Sequence, residues 1–176
     1  MIFLYSIIVY IISPFIPLYL FKRSYKNKNY RFFWKERFGF GLKKFTNKPI
    51  IWLHSVSVGE TRAMGKMVEI ITNKYPIYQI LITVMTPTGR LTAETLYPNA
   101  IIKYIPYDMP HAVNNFYKIY KPKVGLIMET EIWPNIIYFA KKLDIPILLV
   151  NARLSDKSFN SYFDWTPFED KPRGYY

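Results

Sequence analysis

From residue 50 onward the chain alternates between short apolar, β-branched runs and longer stretches whose apolar positions recur three and four apart. The runs 50–57 (IIWLHSVS), 78–85 (YQILITVM), 101–106 (IIKYIP), 124–128 (VGLIM) and 146–150 (PILLV) read as buried strands. The stretches 60–74, 87–97, 110–120 and 133–143 carry helical spacing. Strands recurring every 20 to 28 residues with helices between them predict a parallel sheet with right-handed crossovers. The fold class is therefore α/β, a Rossmann-like parallel sheet with helices on both faces and about five strands in the order 3-2-1-4-5.

Ahead of this pattern lies a stretch without alternation. Residues 1–21 (MIFLYSIIVYIISPFIPLYLF) hold no charged side chain, and Ser6 and Ser13 are the only small polar residues. Roughly 20 apolar residues suffice to cross a bilayer as a helix. A cleaved signal would place positive charge before its apolar core, whereas here the charge follows. The segment therefore predicts an N-terminal membrane-anchor helix with the rest of the chain on the cytoplasmic side. Pro14 and Pro17 would kink it, which leaves both a span and a segment dipping into one leaflet open.

Charge sharpens that reading. Residues 22–48 contain ten Lys or Arg against Glu36 alone, so this segment carries +9 of the net +12. Tyr25, Tyr30, Phe32, Phe33 and Trp34 are interleaved with the bases. Such a mixture suits either nucleic acid or anionic lipid headgroups. Its position directly after the apolar segment favours membrane anionic lipids as the partner, and no nucleic acid. With 51% apolar and 19% aromatic residues the chain is too hydrophobic for a disordered protein. It has no cysteine, which excludes disulfides and thiolate metal sites. The two histidines are far apart and no Asp-x-Asp pair occurs, so no metal and no cofactor are expected. The GFG at 39–41 follows no strand and lacks a third glycine, so it is not a dinucleotide fingerprint.

In an open parallel sheet the ligand sits beyond the carboxyl ends of the strands. The loops expected there carry Ser55, Ser57, Gly59 and Glu60 after the first strand, and Thr86, Thr88, Gly89 and Arg90 after the second. Glu129, Thr130 and Glu131 follow the fourth, and Asn151 and Arg153 follow the fifth. All these polar clusters fall on one edge. A carboxylate at a helix start is favoured by unpaired N–H groups and the macrodipole. Glu60 is therefore either a general base aimed into the crevice or a favourable first-turn acid. Gly59 is either a tight turn needing positive φ or a point of close substrate approach. Thr86 or Thr88 caps the helix of TPTGR, whose N-terminus could also receive phosphate. His54 reads as a satisfied core histidine and His111 as an exposed first-turn residue.

The segments HSVSVGE (54–60), TPTGR (86–90), YDMP (107–110), METEIWPN (128–135) and NARLSDKS (151–158) occur in this order after an apolar N-terminus and ERFG at 36–39. Together they resemble the N-terminal domain of the bacterial lipid A 3-deoxy-D-manno-octulosonic acid (Kdo) transferases, over about residues 1–160. The resemblance implies the N-terminal half of a GT-B glycosyltransferase at the bacterial inner membrane, with its domain facing the cytoplasm. It implies inverting, metal-independent transfer of Kdo from CMP-Kdo to the lipid A precursor, in lipopolysaccharide biosynthesis. Glu60 matches the catalytic base of that family's VGE motif. Glu129 and Glu131 match its paired glutamates, with a site-lining role.

The organisation expected is a membrane anchor over 1–21, a basic juxtamembrane segment over 22–48 and a Rossmann-like acceptor-binding domain over 49–160. Members of the resembled family are much longer, and their second half supplies most of the CMP-Kdo site. Here the tail over 161–176 ends in FDWTPFEDKPRGYY, with two prolines and little periodicity. The expectation is a truncated chain lacking its C-terminal donor domain, with little or no transferase activity alone. The alternative is a membrane-bound remnant that binds acceptor lipid without catalysis.

Overall fold

The computed structural model describes residues 1–44, 46–129 and 133–150. Five strands, β1 (Ile50–Ser55), β2 (Gln79–Val84), β3 (Ile101–Tyr104), β4 (Pro122–Met128) and β5 (Ile147–Val150), form one sheet in the order β3-β2-β1-β4-β5. All four pairings are parallel, as the crossover spacing predicts. β1 is buried along its whole length, which is why it reads as a continuous apolar run rather than an alternating one.

The helices cover both faces. On one, α4 (Val58–Ala63), α5 (Gly65–Lys74) and α6 (Pro87–Leu96) set Met64, Val68, Ile71, Ala93 and Tyr97 against Leu53, Ile82 and Val84. On the other, α7 (Pro110–Tyr120) and α8 (Pro134–Lys142) close over Trp52, with Val113, Phe116, Tyr117, Tyr120 and Ile136. Three of these helices begin with proline at the first position, where its missing N–H costs no intrahelical bond.

Several boundaries differ from the sequence expectation, three of them with a plain local cause. β1 stops at Ser55 rather than residue 57, because the N–H groups of Val56 and Ser57 turn to the Glu60 carboxylate. The helix expected over 60–74 starts at Val58 and is interrupted at Met64, which ends α4 and precedes α5. β3 ends at Tyr104, two residues before Pro106, which has no N–H to offer a ladder.

The apolar N-terminus is two helices, α1 (Ile2–Ile12) and α2 (Phe15–Lys26), bent by 50° at Ser13–Pro14. No single helix among the described residues is long and apolar enough to cross a membrane, although the bent pair passes that test together. Pro17 is tolerated because it sits in the first turn of α2. α2 also continues past residue 21 into the basic segment, burying Leu20 and Ser24.

The stretch expected as a juxtamembrane collar is in part built into the α/β unit. After a 3-10 turn (Lys28–Arg31), the short α3 (Trp34–Arg37) buries Glu36 and Arg37. Glu36 accepts from Arg90 Nη1 at 2.6 Å, Lys103 Nζ at 2.8 Å and the Tyr104 backbone N–H at 3.1 Å. Arg37 donates to the Met85 carbonyl at 2.9 Å and lies 3.7 Å over the Tyr104 ring. Gly39, at φ +77°, lets this segment pass so close to α7 that an added Cβ would meet Ala112 Cα at 2.5 Å. Only glycine fits both demands.

Candidate functional site

The parallel sheet brings the carboxyl ends of all five strands to one edge, where the turn after β1 is held by a dense set of hydrogen bonds. Ser57 caps α4 by accepting from Glu60 N–H at 3.2 Å, and the Glu60 carboxylate reaches back to Ser57 N–H at 3.2 Å and Val56 N–H at 2.7 Å. This is a capping box extended by one further donor. Below it, Thr61 donates its hydroxyl to the Ser57 carbonyl at 2.8 Å, so Ser55 Oγ, 2.9 Å away, donates to Thr61. Tyr97 O–H donates to the Thr61 carbonyl at 2.6 Å from α6. The turn is thus braced from beneath, while Ser57 and Gly59 are exposed and Glu60 is half-buried.

Gly59 does not have positive φ, and a Cβ there would meet nothing nearer than Ser57 Oγ at 3.7 Å. Neither backbone conformation nor packing requires glycine, which removes the tight-turn reading. Gly89 is different. A Cβ there would come within 3.0 Å of Thr86 Oγ1, the oxygen that caps α6 by accepting from Gly89 N–H.

Thr86 and Thr88 stand at the start of α6, their hydroxyl oxygens 3.3 Å apart, with Thr88 exposed. α6 packs beside α4, which brings this pair next to the Glu60 turn. Glu129 is exposed at φ +57° and donates its N–H to the Val150 carbonyl at 2.9 Å. The pairing of His54 with Ile127 places it on the strand beside the Glu60 loop. Glu131, Asn151 and Arg153 lie outside the described residues.

Two expected site residues are turned elsewhere. Ser55 is fully buried beneath the turn. Arg90 is buried with its guanidinium on Glu36 and on Glu94, 2.8 Å away, and 3.8 Å over the Phe33 ring. Its charge is spent joining the N-terminal segment to the sheet rather than facing the edge.

His54 is fully buried, with Nδ1 3.1 Å from the Thr83 carbonyl and 2.9 Å from Thr83 Oγ1. A carbonyl only accepts, so Nδ1 carries the proton, and Nε2 is left as a buried acceptor with no partner among the described residues. Burial lowers its pKa to about 4, against the opposing pull of the Thr83 hydrogen bond and the Glu60 charge. It is a neutral core imidazole, as expected, but satisfied at Nδ1 alone. His111 is exposed in the first turn of α7, and the Tyr10 hydroxyl approaches its Nδ1 at 2.9 Å.

Asp108, in the loop after β3, was not singled out from the sequence. Its two oxygens accept the N–H groups of Asn135 and Ile136 at 2.9 Å each, capping α8, and burial raises its pKa. Tyr5 of α1 hydrogen-bonds the same carboxylate. The available signal was an acid in a carboxyl-edge loop, within the YDMP segment.

The comparisons with known proteins point to one family. The 3-deoxy-D-manno-octulosonic-acid transferase (Kdo transferase) family matches residues 33–171, beginning where the chain enters the α/β unit. A 3-deoxy-D-manno-octulosonic acid transferase of Haemophilus influenzae is 33% identical over 91% of this chain and 38% of its own length. One from Rickettsia bellii is 34% identical over 88% of this chain and 35% of its own. A probable mitochondrial one from Arabidopsis thaliana is 33% identical over 90% and 36%. The chain thus spans well under half the length of these relatives. With residues 33–171, well over half of its length, matched by that family, the chain belongs to the 3-deoxy-D-manno-octulosonic-acid transferase family.

Proposed function

We propose that this chain supplies the acceptor side of a glycosyltransferase that moves Kdo from CMP-Kdo to the lipid A precursor, in lipopolysaccharide biosynthesis at the bacterial inner membrane. The names of the relatives support Kdo transfer. The observation that carries the site assignment is Gly59, an exposed glycine beside Glu60 that neither packing nor φ requires. A glycine without a structural reason next to a carboxylate fits close approach of an acceptor hydroxyl.

In this reading Glu60 is the general base. It takes the proton of the acceptor hydroxyl as that oxygen attacks the anomeric carbon of Kdo, and CMP leaves from the opposite face with inversion. The backbone N–H groups of Val56 and Ser57 hold the carboxylate in place, which is the orientation a base needs. Ser57, Thr86, Thr88, Gly89 and Glu129 line the acceptor side, and Glu131, Asn151 and Arg153 belong to the same edge by their place in the sequence. CMP-Kdo binds mainly through a further domain. The bent apolar pair and the exposed bases after it hold this edge at a cytoplasm-facing anionic lipid surface.

The capping box favours a second reading, because it accounts for Glu60 without catalysis. The chain would then bind acceptor lipid and transfer nothing. Comparing Glu60→Gln with the unchanged protein, in membranes supplied with CMP-Kdo, acceptor and a donor domain, separates the two. Loss of transfer with acceptor binding retained supports the base. Equal loss of both makes Glu60 a binding residue.

A further inference from the structure

The bent N-terminal pair and the carboxyl edge of the sheet flank an open cleft of about 390 Å³, within the size range of small-ligand sites. Val9, Ile12 and Ile16 from the two arms face Tyr107 and Trp133 across it, with Tyr5 beside them. Its one carboxylate, Asp108, is already occupied by two backbone N–H groups and the Tyr5 hydroxyl. The walls that remain are aliphatic and aromatic.

α1 is held in place by three polar contacts. Tyr5 bonds Asp108, Ser6 Oγ lies 3.1 Å from Asn135 Oδ1, and Tyr10 meets His111. The opposite side of the pair is equally apolar and bare. Phe3, Leu4, Ile11, Phe15 and Leu18 are each more than half exposed. A helix apolar all round needs cover on every side. Directly after it, Lys22, Arg23, Lys26, Lys28 and Arg31 are exposed, a cationic rim of the kind that meets anionic headgroups.

We propose that this cleft holds one acyl chain of an anionic bilayer phospholipid, whose headgroup rests on the basic residues at the end of α2. The outward faces of both arms lie in the same hydrocarbon layer from which the chain enters. The apolar pair is then a monotopic clamp on a lipid molecule rather than a span. This rests on the membrane-surface reading above, and the two can fail separately.

The test uses the full 176-residue chain with phosphatidylglycerol vesicles carrying a photoactivatable diazirine along one acyl chain. Co-sedimentation reports surface binding, and mapped adducts report where the chain lies. Adducts on Val9, Ile16 and Trp133 are expected, with loss of those adducts but not of sedimentation in a Val9→Phe, Ile16→Phe variant that fills the cleft. Adducts confined to Phe3, Leu4 and Leu18 in bound wild-type protein overturn the cleft and leave the surface reading standing. Persistence of the Trp133 adduct in a folded, plugged variant overturns it too. Wild-type chain that fails to sediment with the vesicles overturns both.

Discussion

Glu36 and Glu60 are both carboxylates surrounded by donors, yet their surroundings are built in opposite ways. Around Glu36 the donors are Arg90, Lys103 and the Tyr104 N–H, 54 to 68 positions away along the chain. Around Glu60 they are the backbone N–H groups of Val56 and Ser57, within four positions. The first carboxylate is a tertiary joint that fixes the N-terminal segment to the edge strand β3. The second is a local motif that would form wherever a strand meets a helix with this sequence. A buried, charge-compensated group is expected to matter for stability, whereas a half-exposed one with uncommitted lone pairs is free for chemistry.

The largest effect separates these roles directly. With a donor domain supplied, Glu60→Gln should lower transfer by roughly 10²–10⁴-fold, the range of a lost general base. It should change the urea midpoint only by what a weakened cap costs, about 1 kcal/mol. Retained turnover would reduce Glu60 to its capping box. Glu36→Ala should do the reverse and cost about 3–5 kcal/mol in urea unfolding, because the buried Arg90 and Lys103 lose the carboxylate between them, with Arg90 keeping only Glu94 as its ion-pair partner. A loss under about 1 kcal/mol would show that the joint is dispensable.

His54 adds a pH dependence beneath the Glu60 turn. Its folded pKa of about 4 lies below the ordinary 6.5, so between those values the unfolded chain binds the proton that the folded chain refuses. Its contribution to stability is complete above pH 6.5 and is lost as pH falls toward 4, by about 3 kcal/mol in all. Melts of the wild type and His54→Gln across that window should diverge in slope, and parallel curves would refute the assignment.

Two glycines give the smaller effects, with opposite signs. Gly39→Ala should destabilise by about 1–3 kcal/mol, since it forces a side chain into positive φ against the α7 backbone. Gly59→Ala should stabilise by about 0.5–1 kcal/mol, as alanine does in a helix, while reducing transfer. A Gly59→Ala protein that is both more stable and fully active would remove the reason for placing the acceptor there.

Much of this was legible along the chain. The strand runs and the shared edge followed from apolar periodicity and parallel crossovers, while the strand order was taken as the usual one for such sheets and matches the one observed. The Thr86 cap was readable because it closes a hydrogen-bonded ring within four residues, whereas the S-x-x-E spacing of Ser57 and Glu60 offered the same signal and was passed over when the first strand run was carried to residue 57. Arg90 was misplaced at the edge for the complementary reason. Its residue type and loop suit an anion, but the anion it found was Glu36. Asp108 was overlooked because its partners at the start of α8 lie 27 and 28 positions away.

The sequence by itself therefore determined the α/β sheet, the edge on which the proposed site lies and the local S-x-x-E spacing that caps α4. These rest on interactions short in sequence or on a repeating apolar period. Only the tertiary structure decided that the apolar N-terminus, whose kink the prolines announce, lies on the sheet edge, that residues 33–42 belong to the α/β unit, and which charges pair. A charge finds its partner by distance and burial in space, and in the Coulomb energy of such a pair sequence separation does not appear.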